Sequence, residues 1–288
     1  MKKSLGDKIF NVVNITFLIL VGLIMIFPFY YVVIRSILPY EYAVKSQIVL
    51  FPKAVTFSSY TQMFGYNGMG RAFLLTVAVT VISSVLHVLL SLMMAYGFSK
   101  KDMPGGKIIF GMLIVTMYFG GGLIPSYLLN KALGLINNPL IYIIGGVLGA
   151  YDIILALAFI RSLPLEIEEA ATVDGATYVG VFFKIILPMS MPIIATLGLF
   201  FAVGKWNDWF TAMVYMNDKK WWTLGLVIRD ILINNNVNKN GTEMTRDLLT
   251  SESMKMATIV ISTVPIIIVY PFLQKYFTKG MLIGAVKC

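Results

Sequence analysis

The chain has 288 residues, 58% of them hydrophobic and only 13% charged, with a formal net charge of +9. Soluble globular domains carry roughly a quarter charged residues, so a soluble enzyme or binding module is excluded. One histidine, His87, and one cysteine, Cys288, are too few to assemble a His/Cys metal centre or a nucleophile–histidine constellation, and no intramolecular disulfide can form.

In chain order, six stretches approach the roughly 20 apolar residues that cross a bilayer. They lie at about 10–34, 72–98, 108–129, 140–160, 191–215 and 257–277. Each is expected to be helical, because backbone polar groups in hydrocarbon must bond within the segment. Pro28, Gly120 to Gly122, Pro125, Pro265 and Pro271 fall inside these stretches and are tolerable where neighbouring helices re-satisfy the backbone. The fold class is therefore an all-α membrane protein with six transmembrane helices, expected as a single domain over 1–288. The first stretch follows Lys2, Lys3 and Lys8, but it outruns a signal-peptide core and no small-residue cleavage site follows it. A retained first helix is expected.

Basic residues flank the spans. Lys2, Lys3 and Lys8 precede the first, Lys100, Lys101 and Lys107 fill the connector after the second, and Lys275, Lys279 and Lys287 follow the sixth. Six spans put these segments on one side, which the positive-inside rule makes cytoplasmic, together with both termini. Lys219, Lys220, Arg229 and Arg246 on the other side weaken that asymmetry. The positive charge thus reflects topology and membrane lipid, with no nucleic-acid partner. Two long connectors face outward. The one at about 38–71 is rich in aromatics and is expected to hold a small cap or lateral helix. The one at about 216–256 carries "LGLVIRDIL", with helical apolar spacing, and then the polar tip "NNNVNKNG".

Polar groups inside spans stand out because lipid makes them costly. Tyr151 and Asp152 fall in the fourth span, and "GKWNDWF" places Lys205, Trp206, Asn207, Asp208 and Trp209 in the fifth. Lys205 and Asp208 are spaced i, i+3 and could form a neutralised pair that holds helices together. The alternative is a pathway in which Trp206 and Trp209 meet sugar rings while Asn207, Asp208, Tyr151 and Asp152 bond hydroxyls. The tryptophans also suit an interfacial aromatic belt. His87 reads as a packing histidine. A P-loop is absent, so any driving nucleotide binds another subunit.

The connector between the fourth and fifth spans reads "RSLPLEIEEAATVDGATYVGVFFKIILPMS". Pro164 suits the first position of a short helix, and Glu166, Glu168 and Glu169 fall where the helix dipole favours acids. Gly175 permits a sharp turn, a second helical stretch runs from 177 to 187, and Pro188 is expected to stop it. Glu169, Ala170, Ala171, Asp174, Gly175, Ile185, Leu187 and Pro188 carry the spacing Glu-Ala-Ala, three residues, Gly, nine residues, Ile-x-Leu-Pro.

That spacing resembles the EAA signature of permease subunits in ABC importers, and "DGA" resembles its carbohydrate-uptake branch. "WND" and the C-terminal "FTKGMLIGAVKC", with Cys288 in place of a final glycine, are similar to that same branch, and "GGGLIPSYLLNKALGLINNPL" is similar to its MalG-like subgroup with LplC-type permeases. The resemblance covers most of the chain. It implies a type I ABC importer permease fold with a core at about 72–278 and a cytoplasmic coupling helix between helices 4 and 5, within about 163–188. The chain would then bind no cofactor itself, ATP and Mg residing on two cytoplasmic ABC ATPase subunits. Its other partners would be a second homologous permease subunit and an extracytoplasmic sugar-binding protein. The location implied is the bacterial cytoplasmic membrane, and the cargo an oligosaccharide or modified sugar. The competing reading is a secondary transporter driven by an ion gradient, with Asp152 or Asp208 as the ion site. No paired broken helices in matching halves favour that reading in the sequence.

Overall fold

The computed structural model describes residues 5–39, 42, 49–65, 68–100, 102–234, 252–269 and 271, and among these it contains helices and turns without a strand. The chain divides into two compact units, one drawn from Met1–Met69 and Ile228–Val264, the other from Gly70–Val227 and Pro265–Cys288.

The first unit contains α1, Leu5–Ser36, and α2, Ser58–Gly65, a helix in the connector where a small cap or lateral helix was expected. Side chains along α1 are exposed from Ile9 to Val33, and only its C-terminal end is buried. There Arg35, itself buried, donates from Nη2 to Glu252 Oε1 at 2.9 Å, and Ser36 Oγ lies 2.7 Å from the Tyr60 hydroxyl. The last described helix, Glu252–Val269, overlaps the sixth expected span. Thr258 on it donates to Met254 O at 2.7 Å, the usual way a hydroxyl is satisfied inside an apolar helix.

The second unit begins with α3, Met69–Ser99. Among the described residues three helices are individually long and apolar enough to cross a membrane: Gly6–Ser36, Met69–Ser99 and Glu252–Val269. The third expected span is bent, and the fifth is broken at 207–209. The third is α4, Gly106–Tyr118, and α5, Leu123–Ala132, set at 119°. The break follows from Gly122, whose φ of 82° and ψ of 179° lie in a region open only to glycine. The fourth divides into α6, Leu140–Ile144, and α7, Ala150–Arg161, around the glycine-rich 145–149. Gly146 has φ 69°, and a Cβ at Gly145 would come within 2.5 Å of Ile141 O. Twelve residues of α7 rise only about 18 Å, too short to span alone.

After α8, Leu165–Val173, the chain runs helically as α9, Tyr178–Met189, then bends by 79° into α10, Met191–Trp206. The expected stop at Pro188 is thus displaced to Ser190. Pro188 is absorbed because Phe182–Ile186 widens into a π turn, in which Leu187 N bonds Phe182 O. The turn accommodates a ring that would otherwise clash one turn back. The fifth span also breaks at 207–209 before α11, Phe210–Tyr215.

Two apolar clusters hold this unit. Leu92, Ala95 and Tyr96 of α3 pack with Ile153 and Ala156 of α7, Phe182 of α9 and Leu197 of α10. Val79, Tyr142, Ala212 and Tyr215 form the other. In the second outer connector "LGLVIRDIL" forms α12, Leu224–Asn234, burying Leu224, Val227 and Ile231 at helical spacing. The tip at 235–241 and the C-terminal "FTKGMLIGAVKC" lie outside the described residues.

Candidate functional site

Two regions gather the residues singled out by sequence. The first is a cleft of about 540 Å³ whose walls include Asp152, Phe200, Phe201, Lys205, Asn207, Asp208 and Trp209. Asp152 stands in the first turn of α7, where the helix dipole favours an acid. The break after α10 turns the neighbouring polar groups toward the same space. Asn207 Nδ2 donates to Val203 O at 2.9 Å, closing the end of α10. Asp208 Oδ1 accepts from Thr211 N at 3.0 Å, capping α11, and its carbonyl accepts from Thr223 Oγ1 at 3.0 Å.

The anticipated Lys205–Asp208 pairing gives way to other bonds. Lys205 Nζ donates to Gly145 O at 2.8 Å while the Asp208 carboxylate caps α11. The physical reason is competition: Lys205 takes up the carbonyl freed at Gly145, and the Asp208 carboxylate the open N-terminus of α11. Two candidates stand outside the cleft wall. Tyr151 is 61% exposed, pointing from α7 to the surface, and Trp206 is buried with its ring edge-on to Phe73 at 5.9 Å. Carboxylates, an amide and an ammonium among aromatic faces form a surface suited to hydroxyl-rich ligands, whose rings stack and whose hydroxyls both donate and accept.

The second region is α8 and the turn after it. Pro164 occupies the cap position rather than the first helical one, and Glu166 and Glu168 follow in the first turn. The helix ends in a Schellman turn: Ala176 N bonds Ala171 O at 2.9 Å, Gly175 N bonds Thr172 O at 3.0 Å, and Gly175 has φ 80°. Within "DGA", Gly175 is therefore the residue that the turn requires. Thr177 then caps α9 by accepting from Gly180 N at 3.2 Å. Glu169, Ala170, Asp174, Gly175 and Pro188 are exposed, whereas Ala171, Ile185 and Leu187 are half-buried against the core.

Sequence reasoning missed what anchors this helix. Glu168 contacts Lys100 Nζ, and accepts from the Tyr96 hydroxyl at 3.1 Å. Lys100 Nζ also lies 4.0 Å from the Tyr96 ring centroid. Burial pushes the Lys100 ammonium below its ordinary pKa, and the carboxylate beside it favours the charged form. A recess of about 630 Å³ runs beside α8, with Lys100, Arg161, Glu168, Glu169 and Tyr178 among its walls.

The chain matches the family described as binding-protein-dependent transport system inner membrane component over residues 2–283, and it belongs to that family. Protein LplC of Bacillus subtilis (strain 168) is 38% identical over 288 residues, 100% of this chain and 98% of the relative. The polygalacturonan/rhamnogalacturonan transport system permease protein YtcP of the same organism is 36% identical over 283 residues, 98% of this chain and 99% of the relative. Among solved structures, a chain of a bacterial ABC transporter involved in import of the acidic polysaccharide alginate superposes with a TM-score of 0.86 at 31% identity, covering 96% of this chain and 99% of that one. The fold is accordingly that of an ABC importer permease, and the chain is a membrane transport subunit, not an enzyme.

Proposed function

We propose that the chain is one membrane-spanning half of an ATP-driven importer that passes a sugar, in the form of an oligosaccharide, delivered by an extracytoplasmic binding protein. The observation that carries this reading is α8: a short acidic helix between apolar spans, anchored through Glu168 and leaving Glu169, Ala170 and Gly175 bare, in a chain of the binding-protein-dependent family. The named relative that carries polygalacturonan or rhamnogalacturonan and the alginate importer support a polymeric sugar as cargo.

In this reading the chain works as one permease domain of six spans, the bent third, the divided fourth and the broken fifth stretch each counting as one, with both termini in the cytoplasm. It pairs with a second, homologous permease. Glu169, Ala170, Ala171, Asp174 and Gly175 seat in a groove of a cytoplasmic ATPase, and Ile185, Leu187 and Pro188 brace the segment from behind. ATP and Mg act on the two ATPases. Closure of those subunits rocks the spans as rigid bodies, and sugar crosses along the cleft of Asp152, Asn207, Asp208 and Trp209.

Added volume at a close-packed face costs about 1–3 kcal/mol. Ala170→Leu should therefore cut both sugar uptake and co-purification of the ATPase by roughly tenfold, and Glu169→Lys by more, with membrane insertion unchanged. Wild-type uptake and wild-type ATPase recovery in both variants would sink the reading. Uptake that survives ATP depletion and stops when the ion gradient collapses would favour the secondary-transporter alternative.

A further inference from the structure

The break at 145–149 interrupts the fourth apolar stretch and frees carbonyls from helical bonding. Irregular backbone at membrane depth persists only where other groups take up those carbonyls. Two side chains from other helices do so. His87 on α3 brings Nδ1 to 2.7 Å from Val147 O. A carbonyl only accepts, so Nδ1 carries the hydrogen and donates. Lys205 on α10 donates from Nζ to Gly145 O at 2.8 Å.

The histidine is fixed. It is 1% exposed, and its ring lies flat on Phe201 with centroids 4.0 Å apart and 8° between planes. Its other nitrogen, Nε2, has no hydrogen-bond partner and stands 3.4 Å from Asp152 Oδ2. Asp152 can fold back toward it because residue 149 is glycine; a Cβ there would lie 2.6 Å from Oδ2. One histidine, one lysine and one missing Cβ thus converge on five residues that join α6 to α7. A histidine serving only to fill space would make neither polar approach.

We infer that His87 and Lys205 are positioning residues that clamp the 145–149 break through its carbonyls and thereby set where Asp152 stands on the cleft wall. This rests on the reading of the cleft as the sugar pathway, so the experiment has one arm that needs no transport. Amide hydrogen exchange across 145–149 is measured in the assembled permease complex in nanodiscs, beside sugar uptake by the same complex in proteoliposomes. The amides to follow are Gly145, bonded to Ile141 O, and Val147, bonded to Ile144 O.

Lys205→Met should speed exchange there by about ten- to a hundredfold, the size expected for a lost charge-assisted bond, and His87→Leu by about two- to tenfold, that of an ordinary hydrogen bond, and both should leave α8 unchanged. His87→Asn keeps a donor near the Nδ1 position and should restore most of the protection. Gly149→Ala displaces the Asp152 carboxylate without touching either donor. It should lower maximal uptake several-fold while exchange at Gly145 and Val147 stays within twofold of wild type. Unchanged exchange in both His87→Leu and Lys205→Met overturns the inference whatever uptake does. Faster exchange with half-saturation and maximal uptake both at wild-type values overturns it too, because the clamp would then not act on the cleft. The pathway reading fails separately, if Asp152→Asn and Trp209→Ala carry sugar at wild-type rates.

Discussion

Glu168 lies one residue before the Glu-Ala-Ala triplet and does a different job from its neighbour. Its carboxylate holds Lys100 at the end of α3, and the Tyr96 hydroxyl completes the arrangement. The two charged side chains keep only 22% and 17% of their exposure, between the fully solvated and fully buried cases. A coupling of about 1–2 kcal/mol is the appropriate size. A double-mutant cycle with Lys100→Met and Glu168→Gln, read by thermal unfolding of the purified complex, should return that value. Strict additivity would mean that the pair anchors nothing. At this scale the sequence was legible where a residue type has a geometric duty. Gly175 was expected to turn the chain, and its φ of 80° in a Schellman end is that duty. A residue's span does not determine its face, so the packing of Trp206 against Phe73 and the exposure of Tyr151 were not legible.

Helices existed where apolar runs predicted them, but their continuity was not legible. Hydropathy measures what surrounds a segment and is blind to the direction of its backbone. The breaks at 119–122, 145–149 and 207–209 therefore vanish into runs that still read as spans. Glycines were the available signal: Gly122, counted only as tolerable, has a φ that requires glycine, as does Gly146, and a Cβ at Gly145 would meet Ile141 O. Pro188 is the converse case, expected to end a helix that instead widens around it. Pro188→Ala restores a donor for the carbonyl one turn back and removes the ring. The π turn should then close into α-helix, and the complex should gain about 1 kcal/mol in thermal stability. Uptake should fall even so, since closing the turn rotates Ile185 relative to α8. A loss of stability on this substitution would contradict the account of the π turn.

For the molecule as a whole, family and general architecture were readable because the EAA spacing encodes a helix, a turn and a second helix in one line of residues. The number of crossings was less so. Six runs were expected, whereas the described residues give three helices that suffice alone and five if each bent pair counts once. The fourth run is the difference, split into two helices too short to cross singly. The second outer connector combines a packed helix, α12, with the polar tip that follows it in sequence. Removing 235–241 should leave α12 and complex assembly intact but reduce the stimulation of ATP turnover by sugar-loaded binding protein at least threefold. Full stimulation by the shortened chain would show that the tip does not meet the binding protein.

The length of α1 has a bearing on the bilayer itself. The 31 residues of Gly6–Ser36 rise about 46 Å, against about 30 Å of hydrocarbon. Even a steep tilt of about 40° leaves some 35 Å to accommodate. The excess must be met by leaning, by carrying one end into the headgroups, or by drawing the leaflets apart. Burial is confined to the C-terminal end of α1, where Arg35 bonds Glu252, while the side chains before that end lie largely exposed. Hydrophobic mismatch therefore acts on this subunit through a lever pinned at one end, and acyl-chain length becomes a variable of its geometry.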